Sequence, residues 1–139
     1  SQEITFSKSI VNGQTVRVRF TLDAATTTNH YLVYGGTFNL YISPVGLIVD
    51  SGAFGSTLLI DGISYAITED LNNHIGSSIE LTTISGGKNS VSTNYANCTF
   101  MDFRVFDELF PMEENTGTTT TGNKGTVLTL QNGASWVTL

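Results

Sequence analysis

The sequence predicts an all-β fold of short antiparallel strands with very little helix, and three observations predict it. Along Val16-Arg17-Val18-Arg19-Phe20-Thr21-Leu22-Asp23 every even position is apolar and every odd one polar or charged, the period of a strand with one face in a core. Shorter runs of the same kind recur down the chain, punctuated by Gly, Asn, Asp and Pro. The composition agrees: 21 Thr, 14 Gly, 13 Ser and 11 Asn in 139 residues, with 40% hydrophobic and 13% charged. A chain so apolar and so weakly charged does not stay disordered, and its commonest residues favour strands and turns.

In chain order, strands are expected at 16–23, 31–34, 37–42, 46–49, 57–60, 63–67, 78–83, 99–106 and 126–130, roughly ten once marginal runs are counted. Between them stand Asn12-Gly13, Gly35-Gly36, Ser43-Pro44, Asp61-Gly62, Gly86-Gly87 and Asn132-Gly133. Asp61-Gly62 separates Leu58-Leu59-Ile60 from Ile63-Ser64-Tyr65 by two residues, which predicts a hairpin with a type I′ turn. Residues 68–73 predict a single helical turn capped by Thr68. The Thr-rich stretch 116–123 reads as a surface loop or an edge strand. In the strand at 99–106, Phe103 and Val105 should face one side and Asp102 and Arg104 the other, with Arg104 paired to a carboxylate. Short strands at regular spacing exclude βαβ units and fit a two-sheet antiparallel sandwich, a jelly roll or a closed barrel.

Length leaves room for one domain. The single Cys98 excludes a disulfide scaffold and a thiolate zinc cage. A net charge of −6, with the six cations scattered at Lys8, Arg17, Arg19, Lys88, Arg104 and Lys124, makes nucleic acid a poor partner, because that affinity comes from clustered Lys and Arg neutralising phosphates. No apolar run approaches the ~18 residues of a membrane-spanning helix. The opening Ser1-Gln2-Glu3 shows neither an initiator Met nor the basic start of a signal peptide.

Several stretches carry a family likeness. Met101-Asp102-Phe103-Arg104-Val105-Phe106-Asp107-Glu108-Leu109 is similar to the Asp-Phe-Arg-Ile-Tyr-Asp strand that closes many concanavalin A-like, laminin G-like domains. Phe110-Pro111-Met112-Glu113-Glu114-Asn115-Thr116-Gly117-Thr118-Thr119 resembles the Phe-Asp-Glu-Gly-Ser-Gly-Thr-Thr segment of that superfamily. Asn123-Lys124-Gly125-Thr126 and Ala134-Ser135-Trp136-Val137 resemble the Gly-Asn-x-Gly-Thr and Gly-Ala-x-Trp-Val run that follows it. Upstream, Val18-Arg19-Phe20-Thr21, Tyr31-Leu32-Val33-Tyr34-Gly35-Gly36 and Phe38-Asn39-Leu40-Tyr41-Ile42 are similar to laminin G-type strands. In the family the segment near the C-terminus here lies near the start of the domain, so the order is permuted or the chain enters a following repeat.

The resemblance implies an all-β, two-sheet antiparallel β-sandwich, the concanavalin A-like jelly roll, spanning residues 1–139 and excised from a longer fibre or virion protein. Relatives of this kind occur in phage tail and appendage proteins and in bacterial adhesins. The implied role is non-enzymatic binding of a cell-surface glycan or host receptor, outside the cell or on a virion, with a homotrimer formed through the parent fibre. A rival expectation is a structural fibre module that associates with copies of itself and recognises no ligand.

Catalytic chemistry finds little footing. A nucleophile needs an oriented base, and neither His30 nor His74 stands in such a context, while Cys98 reads as a buried, inert thiol. Glycoside hydrolysis needs two facing carboxylates, whereas Glu80 stands alone and Glu108, Glu113 and Glu114 read as a turn beyond a strand end. Calcium needs several oxygen ligands, for which Asp70 and Asn72 within 69–74 are the candidates, with a solvated polar turn as the alternative.

Sugar binding needs flat aromatic faces against C–H groups, and amides or carboxylates to satisfy hydroxyls. Tyr31, Tyr34, Tyr41, Tyr65 and Tyr95, with Asn29, Asn39, Asn89, Asn94 and Asp61, supply those types. The candidates singled out are Tyr95, Asn94, Asn89, Tyr41, Asn39 and Asp61. Tyr95 leads because an aromatic ring set among Ser and Asn in residues 88–95 is poorly explained by core burial.

Overall fold

A computed structural model describes residues 3–6, 13–34, 38–85, 91–94, 98–105, 107–131 and 134–136. Among them run β1 (Glu3–Phe6), β2 (Thr15–Leu22), β3 (His30–Tyr34), β4 (Asn39–Ile42), β5 (Ile48–Ser51), β6 (Ala53–Ile60), β7 (Ile63–Tyr65), β8 (Ile79–Ser85), β9 (Val91–Asn94), β10 (Cys98–Val105), β11 (Glu108–Phe110), β12 (Thr119–Thr121) and β13 (Val127–Gln131). One 3-10 turn, Leu71–His74, is the only helical element among the described residues. The strands form a seven-stranded sheet, β12-β13-β1-β9-β3-β4-β5, and a six-stranded sheet, β11-β10-β2-β8-β6-β7. All the strand pairings are antiparallel, as the alternating pattern predicted.

The strand with the clearest alternation lies inside its sheet. β2 pairs with β10 on one side and β8 on the other, and its Val16, Val18, Phe20 and Leu22 are fully buried while Arg17 and Arg19 face outward. Leu58, Ile60, Ile79, Leu81, Phe103 and Val105 join them from the same sheet; Leu32, Val33, Leu40, Ile42 and Leu128 join from the other, in one continuous hydrophobic cluster. Removing this much apolar surface from water is the main force holding the sheets to a shared interior.

Two bulges set which side chains reach that interior. In β10 the register with β2 shifts between Phe100 and Asp102, so Phe100 stands opposite Phe20, Asp102 opposite Arg19 and Phe103 opposite Val18. In β3 the register with β4 shifts between Tyr31 and Val33, and Leu32 and Val33 are both buried. A bulge inserts one residue into one strand and so reverses the in–out alternation beyond it.

The predicted hairpin is present: Ile60 pairs with Ile63, and Asp61 and Gly62 both take positive φ, 50° and 81°, the signature of a type I′ turn. The expected helical turn is displaced. Asp70, not Thr68, caps a 3-10 turn whose first residue, Leu71, is buried. The Asp70 carboxylate accepts from the Asn72 N–H at 2.9 Å, and the turn begins where Leu71 can enter the core.

The polar stretch near residue 91, where no strand was expected, forms β9, bonded to β1 and β3. Glu108 opens a short strand rather than a turn, and it is fully buried. Its carboxylate accepts from Thr126 Oγ1 at 2.6 Å, Thr126 N at 2.9 Å and Lys124 N at 3.2 Å, closing the turn between β12 and β13. Glu114 does the same for the Thr-rich edge strand, accepting from Thr120 Oγ1 and Thr121 N, each at 2.9 Å. Thr120, Thr121 and Thr126 are thus ordered by two carboxylates that satisfy local backbone and hydroxyl donors.

Candidate functional site

The outward face of the seven-stranded sheet carries an aromatic group built by β3 and β4. Tyr31 pairs with Tyr41 and Tyr34 with Asn39 across these strands. Because Leu32 and Val33 both turn inward at the bulge, Tyr31 and Tyr34 emerge on the same outer face although they are three residues apart. Their rings meet edge to face with centroids 5.3 Å apart, and Tyr31 lies 5.0 Å from Tyr41 at a tilt of 43°. Tyr34 is 44% exposed, while Tyr31, Tyr41 and Asn39 are half-buried. Asn94 joins the same stretch of sheet through its backbone, opposite Tyr31. Beyond β4, Tyr41 pairs with Val49 and Asn39 with Ser51.

Three of the six residues singled out for ligand contact, Tyr41, Asn39 and Asn94, therefore come from strands that are neighbours through β3. Tyr31 and Tyr34, named as tyrosines of the right type but not singled out, sit between them. The sequence signal for them was the run Tyr31-Leu32-Val33-Tyr34; strict alternation would have put the two tyrosines on opposite faces. Tyr95 and Asn89 lie outside the described residues. Tyr65 packs partly against the core and meets His74 at 5.2 Å, and Asn29 is exposed next to β3.

Asp61 belongs elsewhere, at the tip of the β6–β7 hairpin. Its carboxylate accepts from Ser78 N at 2.9 Å, and its own N–H donates to Ser78 O at 2.8 Å. Asp70 and Asn72, the candidate calcium ligands, are likewise engaged with the chain. Asn72 Oδ1 accepts from Thr26 N at 2.9 Å and Thr26 Oγ1 at 3.2 Å, and both side chains pack on Gly46. Among the described residues no group of three or more His, Cys, Asp or Glu gathers where a cation could be shared.

The outward face of the six-stranded sheet is charged. Arg19 stands between Glu80 and Asp102 in register, and donates to Asp102 at 2.7 Å. Arg17 reaches Asp102 at 3.3 Å and Glu80 at 3.5 Å. The carboxylate partner expected for Arg104 is not seen among the described residues: Arg104 stands opposite Arg17 in register, and Asp102 is bonded by Arg17 and Arg19. Arg17, Arg19, Leu59, Gly62, Ser78 and Glu80 line a depression of about 320 Å³ on this face.

Of the remaining groups weighed for catalysis, Cys98 is half-buried and His30 is buried. Burial, with the charge of Asp23 adding to it, pushes the Cys98 thiol far above its ordinary range, which removes the thiolate a nucleophile requires. Burial holds His30 below its ordinary value. His74 Nε2 faces Glu69 at 3.5 Å, and the His74 carbonyl accepts from Ser77 N at 3.1 Å.

Compared with protein-family models, with curated protein sequences and with solved structures, the chain matches none of them.

Proposed function

We propose that the protein is a non-enzymatic carbohydrate-binding module of the concanavalin A-like, laminin G-like sandwich kind, working at a cell surface or on a virion as the attachment domain of a tail fibre or adhesin. The observation that carries this reading is the grouping of Tyr31, Tyr34 and Tyr41 beside Asn39 on one outer sheet face. Sugar rings offer C–H faces to aromatic planes and hydroxyls to amides, and this face groups three tyrosine rings beside an amide side chain. A sandwich is supported by the single core to which both sheets contribute. The fold by itself assigns no ligand; what supports this one is the family likeness of the sequence motifs together with the tyrosine cluster.

A glycan array probed with the chain tests the proposal. Binding to a defined subset of glycans, weakened at least about tenfold by Tyr34→Ala in a folded variant, is the expected result. No glycan bound, or binding indifferent to Tyr31, Tyr34 and Tyr41, overturns it. One observation favours the rival fibre module: the seven-stranded sheet ends on β12, three threonines of which two are exposed, and such an edge can pair with another chain. Self-association seen by light scattering, lost when a proline replaces Thr120 and unaccompanied by glycan binding, selects that reading.

A further inference from the structure

We infer that the depression on the six-stranded sheet is a second, separate binding site, and that its ligand is a carboxylate-bearing sugar unit. It stands on the other sheet from the tyrosine cluster and stands or falls independently of it. Arg17 and Arg19 line the depression beside Glu80, and Asp102 is bonded by both arginines. Arg17 is committed to both acids. Arg19 is not: only its Nη1 is engaged, with Asp102, and its side chain is 41% exposed at the edge of the depression. The donors left on that guanidinium form a planar fork suited to a carboxylate.

The rest of the lining selects the body of the ligand. Glu80 can accept hydroxyl hydrogen bonds, and it repels a dianion such as phosphate more strongly than a single carboxylate. Leu59 offers an apolar wall to ring C–H groups, and Ser78 adds a hydroxyl. Ser78 is pinned at both its N–H and its carbonyl by Asp61, whose hairpin partner Gly62 forms part of the lining. Asp61 is thus a positioning residue for this site. The volume of about 320 Å³ falls at the small end of ligand sites, which run from about 300 to 1,000 Å³, and suits a single sugar unit better than a long chain.

Titrating the whole chain with glucuronate, glucose, acetate and inorganic phosphate, followed by amide chemical shifts, tests this. Glucuronate should give saturable shifts at Arg19, Leu59, Gly62, Ser78 and Glu80, and glucose none. Arg19→Gln should weaken glucuronate binding about tenfold or more, as expected on losing a charge-assisted contact, with Arg19→Lys intermediate. Tyr34→Ala should leave it unchanged, which separates this site from the tyrosine cluster. Should Arg19→Gln misfold, Ser78→Ala and the position of the wild-type shifts decide. Absence of saturable shifts, glucose equal to glucuronate, or acetate or phosphate as tight as glucuronate overturns the proposal.

Discussion

Tyr31 and Tyr34 share one face of β3 although three residues separate them, with ring centroids 5.3 Å apart at an interplanar angle of 80°. The bulge at Leu32 and Val33 makes this possible, by sending two successive side chains into the core. An edge-to-face pair contributes about 0.5–1.5 kcal/mol beyond area burial. A double-mutant cycle on Tyr31→Ala and Tyr34→Ala should return a coupling energy in that range. Tyr34→Ala alone should cost under about 1 kcal/mol, since the ring is 44% exposed and exposed sites tolerate truncation. A coupling near zero would mean the rings do not meet in solution.

Glu108 holds the β12–β13 turn through two backbone N–H groups and one hydroxyl. Glu108→Ala leaves these part-buried donors without their acceptor and should destabilise the protein by about 2–3 kcal/mol. Glu108→Gln keeps one acceptor and should cost less. Urea denaturation gives the magnitudes, and faster hydrogen exchange at Lys124 and Thr126 in Glu108→Ala would locate the damage.

Gly46 adopts φ 82°, and a Cβ there would collide with Asp70 Oδ1 and come within 2.9 Å of Asn72 Nδ2. Gly46→Ala should therefore combine backbone strain with a clash against the Asp70 cap, costing about 2–3 kcal/mol. Thermal denaturation measures it. Asp70→Ala in the same background should recover part of the loss, because it removes the colliding carboxylate.

Cys98 should resist thiol reagents in the native protein at pH 8 and react fully once urea unfolds the chain, because burial disfavours its thiolate. Labelling rates with and without denaturant check this; rapid native labelling would place the thiol at the surface.

His30 is 8% exposed and buried in its neutral form, below the ordinary value of 6.5. Protonation is thus easier in the unfolded chain. The resulting stability is fully present above about pH 6.5 and is lost as pH falls from there through the lower folded value. Melting temperature should decline from pH 7 toward pH 5, and His30→Gln should flatten that part of the profile. An unchanged slope in His30→Gln would remove the histidine from the account.

Much of the architecture is legible in the amino-acid sequence. β2 was marked by eight residues of unbroken alternation, and the β6–β7 turn by the two-residue Asp61-Gly62 link. Both signals are local, set by side-chain period and by which residues accept positive φ. The Glu108 clamp was not readable. Its value comes from donors 16 and 18 residues away, and in the sequence it is one more acid near a strand end. The tyrosine cluster was half-readable: the residue types were evident, their common face was not.

By itself the sequence determined an all-β chain of antiparallel strands, where β2, β8 and β10 run, and that apolar side chains on alternate positions would build the interior. Only the tertiary structure decided which side chains meet across strands. Alternation specifies faces only up to the next bulge, and a single inserted residue at Leu32/Val33 or beside Met101 exchanges inside for outside. Bulges are chosen by the packing of the whole core, not by the few residues that carry them. The tyrosine group and the arginine-lined depression therefore exist only once both sheets have closed on their shared interior.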